Sequence, residues 1–309
     1  VMAVGSLIFI PGALIRSYPI FLVGLFAQAT GMTLLQTASN PYITILGPIE
    51  SAAKRISIVG ICNKIAGMIG ILILGGLLFS DTKAVSERIS MLTGDALALE
   101  LDALASRVIV PYVIMAIILG GLALMILKAN LPEVNQEDES PEASDEANGK
   151  SSVFDFPHLI LGVICIFAYV GVEVIAIDTI GLYGQFMGFD LNVASKFGIY
   201  SLIALTIGYL LGIVLIPKYL KQRNALIISA VLGFVFAIAA LLTQGTVSIV
   251  FIILLSFAHA LMWPSIWPLA IDRLGRFTKM GSALLIMGIC GGALLPLVYG
   301  ALADSSNRQ

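Results

Sequence analysis

Charge is scarce in this chain. Asp, Glu, Lys and Arg supply 12% of its 309 residues against 59% apolar residues, too little polarity to cover the surface of a soluble fold. The net charge of -2, with no basic patch outside short loops, gives no sign of a nucleic-acid partner. Two histidines, His158 and His259, are too few for a metal centre built on imidazole. The three cysteines, Cys62, Cys165 and Cys290, sit in apolar runs without C-x-x-C or Cys/His spacing. They read as small buried hydrophobes and do not report a redox compartment. There is no Gly-rich phosphate loop with its Lys, no H-E-x-x-H and no G-x-S-x-G elbow, so no enzyme activity, metal or cofactor is expected.

What the chain does have is long apolar runs. A membrane-crossing helix needs roughly 20 residues, and nine segments qualify or nearly so: about 1–15, 18–47, 52–80, 108–128, 157–187, 193–217, 223–243, 246–272 and 281–303. The expected fold is an all-α polytopic membrane protein. Val1 stands inside an apolar run and lacks a signal peptide's charged start, so the chain reads as a fragment. Seven acidic residues between Glu133 and Glu146 cannot build a core and predict a flexible linker. The expected organisation is therefore a half-bundle over 1–129, an acidic linker over 130–156 and a second half-bundle over 157–309. Residues 81–107 mix charges with Leu and Ala at helical spacing, as in a short helix at the water interface. Lys54, Arg55, Lys218, Lys221, Arg223, Arg273, Arg276 and Lys279 fall in short loops on one side; with the acidic linker, that side is expected in the cytoplasm.

Polar groups inside the runs mark a site, because hydrocarbon offers them no partner. Gln36, Thr37 and Asn40 lie in one segment, Asn63 and Lys64 in the next. They predict a shared polar cavity; the plainer alternative is interhelical glue. Glu173 is sharper still. It stands about 24 Å along a helix beginning near Pro157, and an intramembrane carboxylate points to an ion or substrate path. Tyr169, four residues earlier, shares its face. Asp178 falls about 140° round the helix, nearer the surface. Lys64 could neutralise Glu173 or Asp178, bind hydroxyls beside Asn63, or snorkel. Trp263 and Trp267, four apart, could stack on sugar rings or form an interfacial belt. Pro264 and Pro268 predict a kinked or broken helix there. His259 could donate to a hydroxyl, titrate near neutral pH, or be a satisfied core residue.

A faint repeat links the halves. Asn40-Pro41, Gly47 and Lys54-Arg55 lead into a helix with Gly60, Gly67, Gly70, Gly75 and Gly76; Trp263-Pro264, Gly275, Arg276 and Lys279 lead into one with Gly281, Gly288, Gly291, Gly292 and Gly300. Glycine at such spacing lets helices approach closely. Two half-bundles on one linker suit a transporter with its substrate between them.

The stretch QTASNPYITILGPIESAAKRI (36–56), followed by Asn63, resembles the fucose/glucose/galactose branch of sugar:cation symporters in the major facilitator superfamily. Residues 274–296, LGRFTKMGSALLIMGICGGALLP, and YVGVEV from Tyr169 to Val174 resemble the same branch. In that register the nine segments are helices 3 to 11 of the two-bundle fold, with helices 1, 2 and 12 outside the chain. The resemblance implies symport of a hexose or deoxyhexose with a proton or sodium ion by alternating access. The setting it implies is the cytoplasmic membrane of a bacterium, as a monomer in lipid. It places Gln36 where the family has a fourth-helix glutamate linked to coupling, and Asn63 at a sugar-binding asparagine. An amide cannot titrate, so coupling cannot run through Gln36. A first-helix carboxylate of the family lies outside the chain, and Glu173 could take its part. His259 stands where an asparagine is expected.

The expected sugar site is thus Gln36, Asn40, Asn63, Tyr169, His259, Trp263 and Trp267, with Glu173 as coupling group and Lys64 and Asp178 as charge partners. The rivals are a non-transporting sugar sensor on the same scaffold and a membrane-embedded enzyme, for which no nucleophile–base pair is visible.

Overall fold

The computed structural model describes residues 1–79, 91–129 and 150–305, and among these the regular structure is helical. The helices of seven or more residues are α1 Met2–Leu14, α2 Tyr18–Ile45, α3 Ala52–Phe79, α4 Asp95–Ser106, α5 Ile109–Lys128, α6 Pro157–Asp178, α7 Ile180–Phe186, α8 Phe197–Leu215, α9 Gln222–Leu242, α10 Gly245–His259, α11 Met262–Ile271, α12 Thr278–Gly288 and α13 Gly291–Ser305. Seven stretches among the described residues are long and apolar enough to cross a membrane: Tyr18–Thr44, Asp95–Lys128, Pro157–Asp178, Phe197–Leu215, Gln222–Leu242, Gly245–Ile271 and Gly275–Ser305. The first expected segment is the shorter α1, and the third is α3.

Several expected segments prove to be interrupted. Residues 157–187 break at Thr179, whose backbone N–H and hydroxyl both donate to the Ile175 carbonyl, at 3.1 and 2.6 Å. The break expected around Pro264 and Pro268 falls just ahead of them, between α10 and α11. Pro264 sits in the first turn of α11, where its missing N–H costs nothing, and its ring disfavours continuing a helix past Ala260, four residues back. The last segment divides between α12 and α13 at Ile289 and Cys290.

The chain forms two compact units. The first holds residues 1–38 and 65–133, the second 39–64 and 134–309. This division differs from the expected halves, because 39–64 cluster with the later helices. In the first unit, Gly5 and Gly24 let α1 and α2 close on one another: a Cβ on either would lie 3.1–3.2 Å from the other's carbonyl oxygen. Phe9 stacks on Tyr112 of α5 at 4.0 Å between ring centroids, and Gln28 Nε2 donates to Ser6 Oγ at 2.8 Å. As expected, a helix runs through Asp95–Ser106, none of it buried; residues 81–90 lie outside the described residues.

The second unit is built round α6. Leu159, Ile166 and Tyr169 of α6 join Ile266, Trp267 and Ala270 of α11 and Leu285 and Ile286 of α12 in one apolar cluster. Glycines permit the contact on its flanks: Gly162 against Ala270, Gly171 against Leu295, Gly288 against Val163. The expectation of close approach holds at Gly60, Gly281, Gly288, Gly291 and Gly292, but a Cβ on Gly67, Gly70 or Gly300 would meet nothing within 4 Å. Gly75 and Gly76 lie in a part of α3 whose side chains fall outside the described residues.

Two further expectations need correction. Cys62, Cys165 and Cys290 are exposed, not buried; a thiol on an outward helix face packs as well against lipid as against protein. The linker ends earlier than residue 156. Ser152 and Asp155 form a capping box, Phe156 is fully buried, Lys150 Nζ lies 3.9 Å from its ring centre, and Arg276 donates to the Lys150 carbonyl at 2.9 Å. Residues 130–149, the rest of that linker, lie outside the described residues.

The turn between α2 and α3 is held by Arg55. Its guanidinium donates to the carbonyls of Ile43 (2.8 Å), Pro48 (3.1 Å), Thr44 and Gly47 and to Ser51 Oγ. Those of Ile43 and Thr44 belong to the last turn of α2, where a helix end leaves carbonyls unsatisfied. A planar five-donor fork fits such a set and an ammonium does not. Arg55→Lys is therefore expected to lower thermal stability by roughly 1–3 kcal/mol, the worth of one or two charge-assisted bonds. Thermal unfolding of the purified protein in detergent reads this directly.

Candidate functional site

The second unit brings Lys64, Tyr169 and His259 together beside Glu173. Tyr169 and Glu173 stand one turn apart on α6, and the Tyr169 hydroxyl donates to Glu173 Oε2. Lys64 Nζ, from α3, donates to Glu173 Oε1 at 3.4 Å. The pair is largely enclosed, with side-chain exposures of 24% and 14%. Of the partners open to Lys64, the structure brings it to Glu173; Asp178 is exposed at the far end of α6. The ring of His259, the last residue of α10, meets Tyr169 edge-on at 5.9 Å and 83°. The ladder of contacts is thus Lys64, Glu173, Tyr169, His259, drawn from three helices.

The two tryptophans differ. Their rings lie 5.5 Å apart at 32°, one helical turn apart on α11, as their spacing demands. Trp263 is partly exposed, whereas Trp267 has 0% exposure and belongs with Tyr169 to the central cluster. Trp267 Nε1 and His259 Nδ1 are both buried and have no hydrogen-bond partner among the described residues. Such groups cost free energy unless satisfied, so each is poised for a polar partner.

The remaining expected site residues are not drawn into this cluster by any described contact. Asn63 is exposed, and Asn40 is half-buried, its carbonyl accepting from Thr44 Oγ1 at 2.8 Å. Gln36 is half-buried in the first unit.

Sequence reasoning missed Tyr209 of α8. It is buried beside Leu205 and Ala260, and its ring lies against Gly60 of α3. A tyrosine within an apolar run carries no signal that separates it from core. Four buried serines, Ser201, Ser256, Ser265 and Ser282, also have hydroxyls without partners among the described residues. They were equally hidden, since serine is common at membrane-helix contacts.

Chemically, the site pairs one carboxylate with one ammonium and a phenol donor, beside an aromatic wall. Those parts offer a polar solute an acceptor and two donors inside the membrane helices; no nucleophile–base pair is among them. A polytopic helical membrane protein with an enclosed ion pair has the general form of a transporter. The comparisons then supply the family. The Major Facilitator Superfamily model matches residues 1–296, and the chain belongs to that family.

Its relatives are sugar transporters by name. A glucose/galactose transporter of Brucella abortus is 32% identical over 99% of this chain and 70% of its own length. The L-fucose-proton symporter of Escherichia coli is 26% identical over 99% of this chain and 70% of its own. The crystal structure of FucP in the outward conformation matches with a TM-score of 0.85 and 26% identity, covering 99% of this chain and 75% of that one. The expected integral membrane protein of this superfamily is thereby established, and the relatives are transporters, not enzymes or sensors.

Proposed function

We propose that the protein is a secondary active sugar transporter, moving a hexose or deoxyhexose across a bacterial cytoplasmic membrane together with a cation, H+ or Na+, by alternating access. The observation that carries this is the enclosed Lys64–Glu173 pair with Tyr169 donating to the same carboxylate, in a chain that aligns over 99% of its own length with a glucose/galactose transporter. A carboxylate held inside the membrane can exchange its internal partner for an incoming cation. Trp263 offers a face for the C–H side of a sugar ring, and His259 Nδ1 and Trp267 Nε1 offer buried polar atoms to hydroxyls. Gln36, Asn40 and Asn63 complete the proposed sugar-contacting set, with Asp178 as an outer charge partner. The protein works as a monomer in lipid and needs no resident cofactor. Binding sugar and ion more tightly in one state than the other supplies the coupling.

Uptake into proteoliposomes tests this. Labelled glucose, galactose and fucose are supplied to the full-length protein with an imposed proton or sodium gradient. Saturable, gradient-dependent accumulation of at least one is expected, and Trp263→Ala is expected to reduce its affinity about five- to thirtyfold, given ~1–2 kcal/mol for a lost aromatic contact and the area it buries. No saturable uptake of any of the three rejects the sugar assignment.

A further inference from the structure

The start of α3 is packed against the later helices along one face, and that face has a regular order. Ala53 is fully buried in a cluster with Ile216 and Ala225. One turn on, Ser57 is fully buried, its Oγ 3.4 Å from where a Cβ on Gly212 would stand. A further turn on, a Cβ on Gly60 would lie 2.9 Å from the Tyr209 ring. Along α3 the numbers rise 53, 57, 60; their partners fall 216, 212, 209. This is an antiparallel seam, made close by small residues on alternating sides. The next turn of the same face brings Lys64, whose ammonium meets Glu173.

At its outer end the seam is fastened by one side chain. Gln222, the first residue of α9, accepts from the Ala53 backbone N–H through Oε1 at 3.3 Å and donates from Nε2 to the Ile49 carbonyl at 2.5 Å. The N–H groups in the first turn of a helix have no intrahelical acceptor, and no residue of α3 itself caps Ala53. Gln222 supplies from another helix what an N-cap side chain would supply locally, and its amide uses both ends to do so.

We propose that Gln222 is a latch: it fastens the start of α3 to α9 while this face of the protein is closed, and must let go for the face to open. Because Ala53, Ser57, Gly60 and Lys64 lie on one rigid helix, releasing the latch and parting Lys64 from Glu173 are one mechanical event. Occupancy of the Glu173 site is thereby communicated to the loop end of α3, about 16 Å away at 1.5 Å per residue over eleven residues. The inference rests on the alternating-access reading above, and not on which sugar is carried.

Thiol accessibility tests it without any sugar. In full-length protein with every native cysteine replaced by alanine, Cys62, Cys165 and Cys290 among them, Ser57→Cys places a single reporter in the seam. Membrane vesicles are exposed to a small, membrane-impermeant thiol reagent on the side of the basic loops. Slow labelling is expected with Gln222 intact. Gln222→Leu, which fills similar space without the amide, is expected to label about tenfold faster or more, the equivalent of one to two net hydrogen bonds. Gln222→Asn keeps the amide but is one methylene too short, and is expected to act alike should the leucine variant not reach the membrane. Gly60→Ala, which pushes against the Tyr209 ring, is expected to speed labelling with Gln222 in place. Equal rates for the Gln222 variants and the parent overturn the proposal, above all if Gly60→Ala still accelerates labelling, since the seam would then open without regard to Gln222. Gln222-dependent labelling in a protein that takes up no hexose would keep the latch and discard the sugar assignment.

Discussion

Lys64→Gln is expected to damage the protein more than removing Lys64 and Glu173 together. The single change strands a carboxylate that is only 14% exposed, where solvent replaces the lost ammonium poorly. Breaking a buried pair costs about 3–5 kcal/mol, while replacing both members by neutral groups is often close to neutral. With 24% and 14% of the two side chains still exposed, the expected loss lies nearer 2 kcal/mol. Glu173 also keeps the hydrogen bond from Tyr169, which softens the penalty. Lys64→Gln/Glu173→Gln is expected to recover most of the stability, since two amides can bond one another and neither needs a counter-charge. Thermal unfolding of the parent, both single variants and the double variant closes the cycle. Additive losses would show that the two side chains do not interact. In transport, Glu173→Gln is expected to abolish gradient-driven accumulation while leaving sugar counterflow; accumulation that survives removes Glu173 from coupling.

Gly291→Ala is the second change with a large expected effect. A Cβ at 291 would run into the carbonyl group and Cα of Phe167. Both obstacles are backbone, so no side-chain rotation relieves the overlap; α13 must back away from α6 as a whole. Overpacking of a tight contact typically costs about 1–3 kcal/mol, more when nothing can yield. The neighbouring contacts suffer with it, since Gly171 and Leu295 form part of the same interface. A sharp fall in thermal stability and in recovered folded protein is expected. Gly300→Ala, on the same helix with open space around it, is the control and should be nearly silent. Equal behaviour of the two variants would mean that α6 and α13 do not approach as described.

The physical reasons that made some of this legible in sequence are specific. Hydrocarbon enforces long apolar runs, so the membrane helices and the outlier Glu173 stood out against them. The one-turn spacing of Tyr169 and Glu173, and of Trp263 and Trp267, fixed which side chains would meet on one helix. Which partner Lys64 takes was not legible, because it depends on how two helices distant in sequence are set against each other. Trp267 shows the same limit: its spacing from Trp263 predicts a shared face, but only packing against Leu285 and Phe156 makes it core. Gln222 was hidden for another reason. A glutamine at the start of an apolar helix looks like an ordinary water-facing residue, and its two bonds go to backbone 169 and 173 positions away, where side-chain patterns leave no trace. The capping box at Ser152 and Asp155 was there to be read and marked the true end of the acidic stretch.

The gap between α10 and α11 has a consequence for motion. An unbroken helix bends only by stretching the backbone bonds that define it. Here the regular ladder lapses at Ala260 and Leu261, leaving the Ala260 N–H on the Phe257 carbonyl at 3.3 Å and the Ser265 N–H on the Leu261 carbonyl at 3.2 Å, so a swing of α10 on that point disturbs few backbone bonds. Trp267, wedged in the central cluster, keeps α11 still while this happens, and His259 rides at the tip of the moving arm. Displacement would therefore reach the Tyr169 ring first and the tryptophan core last.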